Sequence, residues 1–218
     1  MSSACRKIDV KLIEPEDLQS IVSIHRAAFP NTALSRLGEG TVRRYYLWQM
    51  RGPHGVSGLV ALVREARVGF LIGGVFQGAL TGFLRRHKWY LAFLLLVRPW
   101  LLFHSRFWRK IRTALRLLLA SPKAPVRETS SPEVCDSAQF TVLAVAVHPD
   151  FQRLGIGKCL MDLAERKARE SGATEMHLTV EPENTPAIRL YERLGYERTA
   201  CNGVWHGQMR KSLRPKAM

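Results

Sequence analysis

The sequence predicts a mixed α/β fold, a sheet with helices, and three observations carry that prediction. A short apolar run fills 139–147, and apolar residues alternate with polar ones along 174–180, both as in strands. Each run is followed by an amphipathic pattern of helical period, at about 156–171 and 185–194. Upstream, SGLVALV and RVGFLIGGVF flank Arg64-Glu65-Ala66 and read as a hairpin.

Taken in order, KIDVKLI at 7–13 alternates loosely and predicts a first strand. Glu14-Pro15-Glu16-Asp17 then supplies an acidic, proline-marked helix start, followed by Leu18, Ile21, Val22 and Ile24 on one face. A second helix is expected from near Thr41, through Tyr45, Tyr46 and Trp48, to the Gly52-Pro53 break. The hairpin comes next, and the chain ends in two short strands finishing near Lys211. Between hairpin and third strand lies an insert, 77–133. Its first part, 83–120, is apolar with Arg and Lys at intervals, and 121–137 is rich in Pro, Ser and charge and is expected to be a flexible linker.

A chain of 218 residues is long enough for one domain of ordinary size with a real core, so 1–218 is expected to be a single domain carrying this insert. Cys5, Cys135, Cys159 and Cys201 form no Cys-x-x-Cys pair, so no metal site and no disulfide framework is expected, which suits a reducing cytoplasm. The first residues lack a signal-peptide core, and no uncharged apolar run approaches the ~20 residues of a spanning helix. The net charge of +15 is concentrated: from Ala66 to Arg127 there are twelve basic residues and no acidic one, leaving +3 for the rest.

The stretch VHPDFQRLGIGKCL carries the first functional signal. A Walker loop needs glycine where Gln152 stands and Ser or Thr at Cys159, and a dinucleotide fingerprint needs a third glycine at Leu160, so both fail on residue identity. What remains is Gln152, Arg153, Leu154, Gly155, Ile156, Gly157 and Lys158 at the start of a helix. Two readings fit: an anion cradle made of free N–H groups, or a strand-to-helix turn that uses glycine for its dihedral freedom. Farther on, Asn184, Ala187 and Tyr191 share one helix face, with Asn184 or Thr185 as cap and Pro186 in the first turn. Tyr191 by itself also fits a core aromatic, and Asn184 a simple cap.

Together, VLAVAVHP, QRLGIG, HLTV and N-x-x-A-x-x-x-YERLGY resemble the GCN5-related N-acetyltransferase (GNAT) family in order and spacing. The likeness is good over 139–200, extends to strand and helix order over the first 76 residues, and does not cover 77–133. It implies a mixed, mostly antiparallel sheet flanked by helices, whose fourth and fifth strands are parallel and splay apart around acetyl-coenzyme A. By the same resemblance, the backbone of Ala144 to Val147 lies along the pantetheine, with Val145, Ala146 and Val147 as contacts and the Val145 N–H as donor to the thioester carbonyl. Gln152 to Lys158 would hold the diphosphate, Asn184 would contact the cofactor near its sulfur, and Tyr191 would protonate the leaving thiolate.

The resemblance therefore implies acetyl transfer by direct attack of an amine, with no metal. Thiols ionise at about 8.5 and amines at about 8 to 10.4, so the thiolate gains from an acid and the amine must lose a proton. The carboxylate that many relatives use as base is missing: the matching positions are Thr141 and Thr179. Glu181, His148, His25 and Glu39 are the replacements the sequence offers, and the departure leaves open a coenzyme A-binding regulatory or scaffold protein with weakened catalysis. The acceptor, a small-molecule or glycan-precursor amine, cannot be read from the cofactor half; AAFPNTALSRLGEGTVRRYY occupies the place where the family builds its acceptor pocket.

For the insert, the leading expectation is a helical hairpin on the anionic inner face of a membrane. Trp89, Tyr90, Trp100, Phe103, Phe107 and Trp108 would lie at the interface, and Arg85, Arg86, Lys88, Arg106, Arg109, Lys110 and Arg112 on phosphates. Packing onto the domain itself or onto a second copy in a homodimer is the alternative. Nucleic acid ranks last, because the aliphatic content is high for a phosphate-tracking groove.

Overall fold

A computed structural model of the protein describes residues 8–53, 55–76, 79–97, 139–201 and 203–214. The elements are β1 (Asp9–Leu12), α1 (Leu18–Ala28), α2 (Ala33–Arg36), α3 (Glu39–Arg51), β2 (Gly55–Val63), β3 (Ala66–Val75), α4 (Ala79–Arg86) and α5 (Lys88–Val97), followed by β4 (Gln139–Val147), α6 (Ile156–Glu170), β5 (Glu175–Thr179), α7 (Thr185–Arg193), β6 (Glu197–Cys201) and β7 (Val204–Ser212). The seven strands form one sheet in the order β1-β2-β3-β4-β5-β7-β6, antiparallel throughout except between β4 and β5. The mixed, mostly antiparallel sheet with parallel strands 4 and 5 is thus present. α2 escapes the periodicity because one turn is too short to show a helical repeat. The expected linker at 121–137 and the insert beyond Val97 lie outside the described residues.

Local chemistry explains the elements that position the site. The two-residue turn of the β2–β3 hairpin places Arg64 and Glu65 at φ 48° and 66°, the left-handed pair whose twist matches two right-handed strands. α1 and α3 cover one sheet face, where Ile21, Val22, Val42 and Tyr46 bury against Phe70, Ile72 and Ala146. α6 and α7 cover the other, with Ile156, Leu160, Ala164, Ile188 and Tyr191 against Leu71, Phe140, Val142, Met176 and Leu178. Fully burying one such Leu or Ile stabilises by roughly 1.5–3 kcal/mol, so these two layers fix how the helices sit on the strands.

One sequence expectation is overturned here. Cys159, buried in the first turn of α6, is disulfide-bonded. Spacing reports only local cysteine motifs, whereas pairing depends on proximity in the fold, which spacing does not encode. Among the described residues, no group of three His, Cys, Asp or Glu side chains could hold a metal ion, and no helix is long and apolar enough to cross a membrane.

Candidate active site

The site begins where two strands stop pairing. β4 and β5 are in register from Gln139↔Glu175 to Val142↔Leu178, and there the ladder ends, although β4 continues to Val147. A bulge sits at that point: Ile72 pairs with Ala144 and Gly73 with Val142, so Leu143 has no partner on β3. The extra residue bends β4 away from its parallel neighbour.

Alternation along the strand decides which backbone groups look into the gap. His148 donates its N–H to the Val68 carbonyl at 2.8 Å, so the backbone groups of Ala146 and Ala144 also face β3. Those of Val145 and Val147 therefore turn toward the side that β5 has vacated. Ala146 in addition sends its side chain into the core under α1 and α3. Of the strand residues expected along a cofactor, Val145 and Val147 offer the backbone groups that open onto the gap. At its far end the Gln152 side-chain amide donates to the Val147 carbonyl at 3.2 Å, which ties the loop to the strand.

The loop delivers a helix N-terminus to the same end. Arg153 stands at φ 63° and Gly155 at φ 81°, the left-handed geometry that turns the chain into α6. The first hydrogen bond into the helix runs from the Cys159 N–H to the Gly155 carbonyl at 3.0 Å, so the N–H groups of Ile156, Gly157 and Lys158 have no partner within the helix. No side chain caps this end. Ile156 buries its side chain and presents only backbone, Leu154 and Arg153 are exposed, and Lys158 is paired with Asp162 at 2.5 Å. A Cβ on Gly157 would meet nothing closer than Leu190 Cδ2 at 3.5 Å, so the packing of the protein does not require glycine there. Bare backbone at a helix N-terminus suits a diphosphate pressed against it.

α7 completes the wall. Asn184 caps it, accepting the Ala187 N–H at 3.3 Å, and Pro186 occupies the first turn. Tyr191 lies two turns on, in the buried cluster against which Val145 and Val147 pack, and meets Tyr196 edge-on at 5.9 Å. Burial pushes its hydroxyl up to about 12, so it stays protonated through the physiological range. Leu190, next to Tyr191, touches the space beside Gly157, so the glycine turn and the tyrosine helix are neighbours.

The proposed replacements for the missing carboxylate scatter. His25 is buried under α3, its Nδ1 2.7 Å from the Tyr46 hydroxyl, and desolvation lowers its pKa to about 4. Glu39 is taken up by Gln19 at 2.7 Å and Arg26 at 3.1 Å on the helical surface. His148 lies at the strand end beside Asp150 and Phe151, and Glu181 is exposed in the loop before α7. A pair that escapes motif reading stands on β5: His177 Nε2 lies 3.1 Å from Glu175 Oε2, and His177 is opposite Thr141 on β4 and Arg210 on β7. The usable signal is the strand's period of two, which puts Glu175, His177 and Thr179 on one face.

The sheet thus parts between two parallel strands, with a helix N-terminus at the mouth of the gap. Residues 128–196 match the Acetyltransferase (GNAT) family. The mycothiol acetyltransferase of Geodermatophilus obscurus is 39% identical over 64 residues, 29% of this chain and 21% of the relative. The ribosomal protein bS18-alanine N-acetyltransferase of Escherichia coli is 38% identical over 58 residues, 27% of this chain and 39% of the relative. The chain therefore spans well under half the length of these curated relatives. The PaiA N-acetyltransferase of Thermoplasma acidophilum, solved in complex with coenzyme A, superposes with a TM-score of 0.55 at 13% identity, over 97% of this chain and 99% of that one, a likeness of fold. Residues 128–196 thus match the GNAT acetyltransferase family, and the chain as a whole shares the fold of the PaiA structure.

Proposed function

We propose that the protein transfers an acetyl group from acetyl-coenzyme A to an amine by direct attack in a ternary complex. The observation that carries this reading is the unpaired stretch of β4: Val145 and Val147 turn their backbone toward a gap that ends at the uncapped N-terminus of α6. Bound there, acetyl-coenzyme A supplies an activated thioester.

The N–H groups of Ile156, Gly157 and Lys158 hold the diphosphate, with Gln152, Arg153 and Leu154 forming the turn around it. The Val145 N–H donates to the thioester carbonyl oxygen as negative charge grows on it. Tyr191 gives its proton to the departing sulfur, and its high pKa ensures that it has one to give. The side-chain amide of Asn184 keeps its nitrogen for the cofactor, because its oxygen caps α7. Glu175 orients His177, which takes the proton of the attacking amine directly or through water. The relatives support an amine acceptor, and their names range from a small molecule, mycothiol, to an alanine of a ribosomal protein.

Thr141 and Thr179, standing where many relatives carry a carboxylate, favour one other reading: a coenzyme A-binding protein with weakened turnover. Calorimetric titration of acetyl-coenzyme A into wild type and a Gly155→Asp, Gly157→Asp double variant tests the shared step. Binding lost in a folded variant supports the cradle. Equal binding to both, or none by folded wild type, overturns it.

A further inference from the structure

The insert contributes a second concave site, away from the strand gap. Arg44, Leu47, Trp48 and Arg51 recur at spacings of three and four, and so share one face of α3. Opposite them stand Arg86 and His87 at the end of α4, and together they line a cavity of about 360 Å³. Among the described residues its lining holds three guanidinium groups and no carboxylate. Among the described residues, none of the three arginines forms an ion pair. His87 feels two of them: its pKa is lowered by burial and then by Arg44 and Arg86.

The walls are firm. Gly82 of α4 packs so closely on the Trp48 indole that an added Cβ would come within 2.5 Å of Cζ2. The Arg86 guanidinium lies 6.0 Å from the same ring, and Arg44 stacks 4.0 Å over Tyr90 of α5. Tyr90 in turn is 3.3 Å from the Thr41 hydroxyl, which pins the start of α5 beside the cavity. A concave surface with three like charges and, among the described residues, no counter-charge gains most from an anion, and arginine forks match phosphate oxygens.

α5 tells which kind of anion. Trp89, Phe93, Leu96 and Val97, at helical spacings of four, three and one, are 79%, 61%, 79% and 52% exposed. Lys88 lies against the Trp89 ring at the start of this stripe, and no acidic residue occurs from Ala66 to Arg127. An apolar stripe next to unpaired cations has the chemistry of the boundary between headgroups and acyl chains. A free phosphate compound would use the arginines and leave the stripe in water.

We propose that α4 and α5 dock the protein on anionic phospholipid, with a headgroup phosphate in the Arg44–Arg51–Arg86 cavity and Trp89, Phe93, Leu96 and Val97 in the interfacial layer. This surface is independent of the acetyltransferase reading.

Co-sedimentation of the full chain with vesicles of phosphatidylcholine, alone or mixed with phosphatidylglycerol, tests it. Wild type should pellet only with the mixed vesicles, and less so as salt rises. Arg51→Ala with Arg86→Ala should weaken binding about 25-fold, at about fivefold per basic residue near the surface. Phe93→Ser with Leu96→Ser, on an exposed face, should weaken it by a separate route while circular dichroism stays unchanged. Wild type left in the supernatant with mixed vesicles overturns the proposal. So does vesicle binding that both variants retain, and so does binding of glycerol phosphate or a single-stranded RNA oligonucleotide without vesicle binding.

Discussion

Gly157 and Leu190 face each other with room between them: a methyl group on the glycine would lie 3.5 Å from Leu190 Cδ2, an ordinary van der Waals distance. Glycine in a helix costs about 0.8–1 kcal/mol relative to alanine, and here nothing in the protein's own packing repays it. Gly157→Ala should therefore raise stability by about 0.5–1 kcal/mol in urea unfolding, while acetyl-coenzyme A binds roughly tenfold more weakly because the methyl stands where the diphosphate must approach. Unchanged affinity in calorimetry would mean that the glycine serves no ligand. Gly155→Ala is the contrast: at φ 81° a side chain strains the backbone, and stability should fall by about 1–2 kcal/mol.

Tyr191 should separate chemistry from binding. Phenylalanine keeps the ring against Tyr196 and removes only the proton donor. The expected result is a loss of 10²- to 10⁴-fold in acetyl transfer or slow thioester hydrolysis, roughly the share general acid catalysis contributes, with cofactor affinity preserved. With a pKa of about 12 the hydroxyl also adds no alkaline limb to the rate profile below about pH 10. A variant as fast as wild type would leave the acid role without support and favour the weakened-turnover reading.

Most of the architecture was legible in the sequence because its signals are local. The apolar run of QFTVLAVAV gives β4 its full length, and Gly155 and Asn184 mark the starts of α6 and α7 through backbone and capping chemistry that neighbours in sequence decide. What stayed hidden depends on register. Leu143 reads as one more apolar residue of a strand, and only pairing with β3 reveals it as the bulge that opens the gap. His177 becomes interesting once Thr141 and Arg210 are known to flank it. His25 looked available for catalysis because a lone histidine carries no sign of whether its neighbours will bury it.

Asp17 anchors the first helix through charge. Its side chain is fully buried, its Oδ2 accepts the Glu14 N–H at 2.9 Å, and Arg67 Nε donates to Oδ1, with Lys11 at 3.4 Å. Burial works to raise its pKa, but the Glu14 N–H, Arg67 and Lys11 prevail and hold it below the usual carboxylate value. A depressed folded pKa gives stability that is present above the unfolded value of 3.8 and is lost as pH falls below it. Asp17→Ala should cost on the order of 3 kcal/mol, at the lower end for a broken buried pair because Arg67 and Lys11 can still reach water. Chemical denaturation at neutral pH gives the number, and a loss below about 1 kcal/mol would show that the charges are solvated rather than paired.

His25 sets a different pH limit. Its Nδ1 is engaged by Tyr46, its Nε2 has no hydrogen-bond partner, and Phe29 lies 5.1 Å away edge-on, so a proton added to the ring would be buried among aromatics. Desolvation lowers the pKa from 6.5 to about 4. Between these values the unfolded chain binds the proton and the folded one does not, so stability is complete above pH 6.5 and falls as the pH is lowered toward 4. At 1.36 kcal/mol per unit the full loss is on the order of 3 kcal/mol, and about 2 kcal/mol of it should already be gone at pH 5. His25→Gln, which keeps a polar partner for Tyr46 but does not titrate, should be less stable at pH 7 and show a flatter profile. Urea midpoints of both proteins measured from pH 7 to pH 4.5 decide the matter: parallel curves would mean that His25 takes up its proton in the folded state as readily as in the unfolded one.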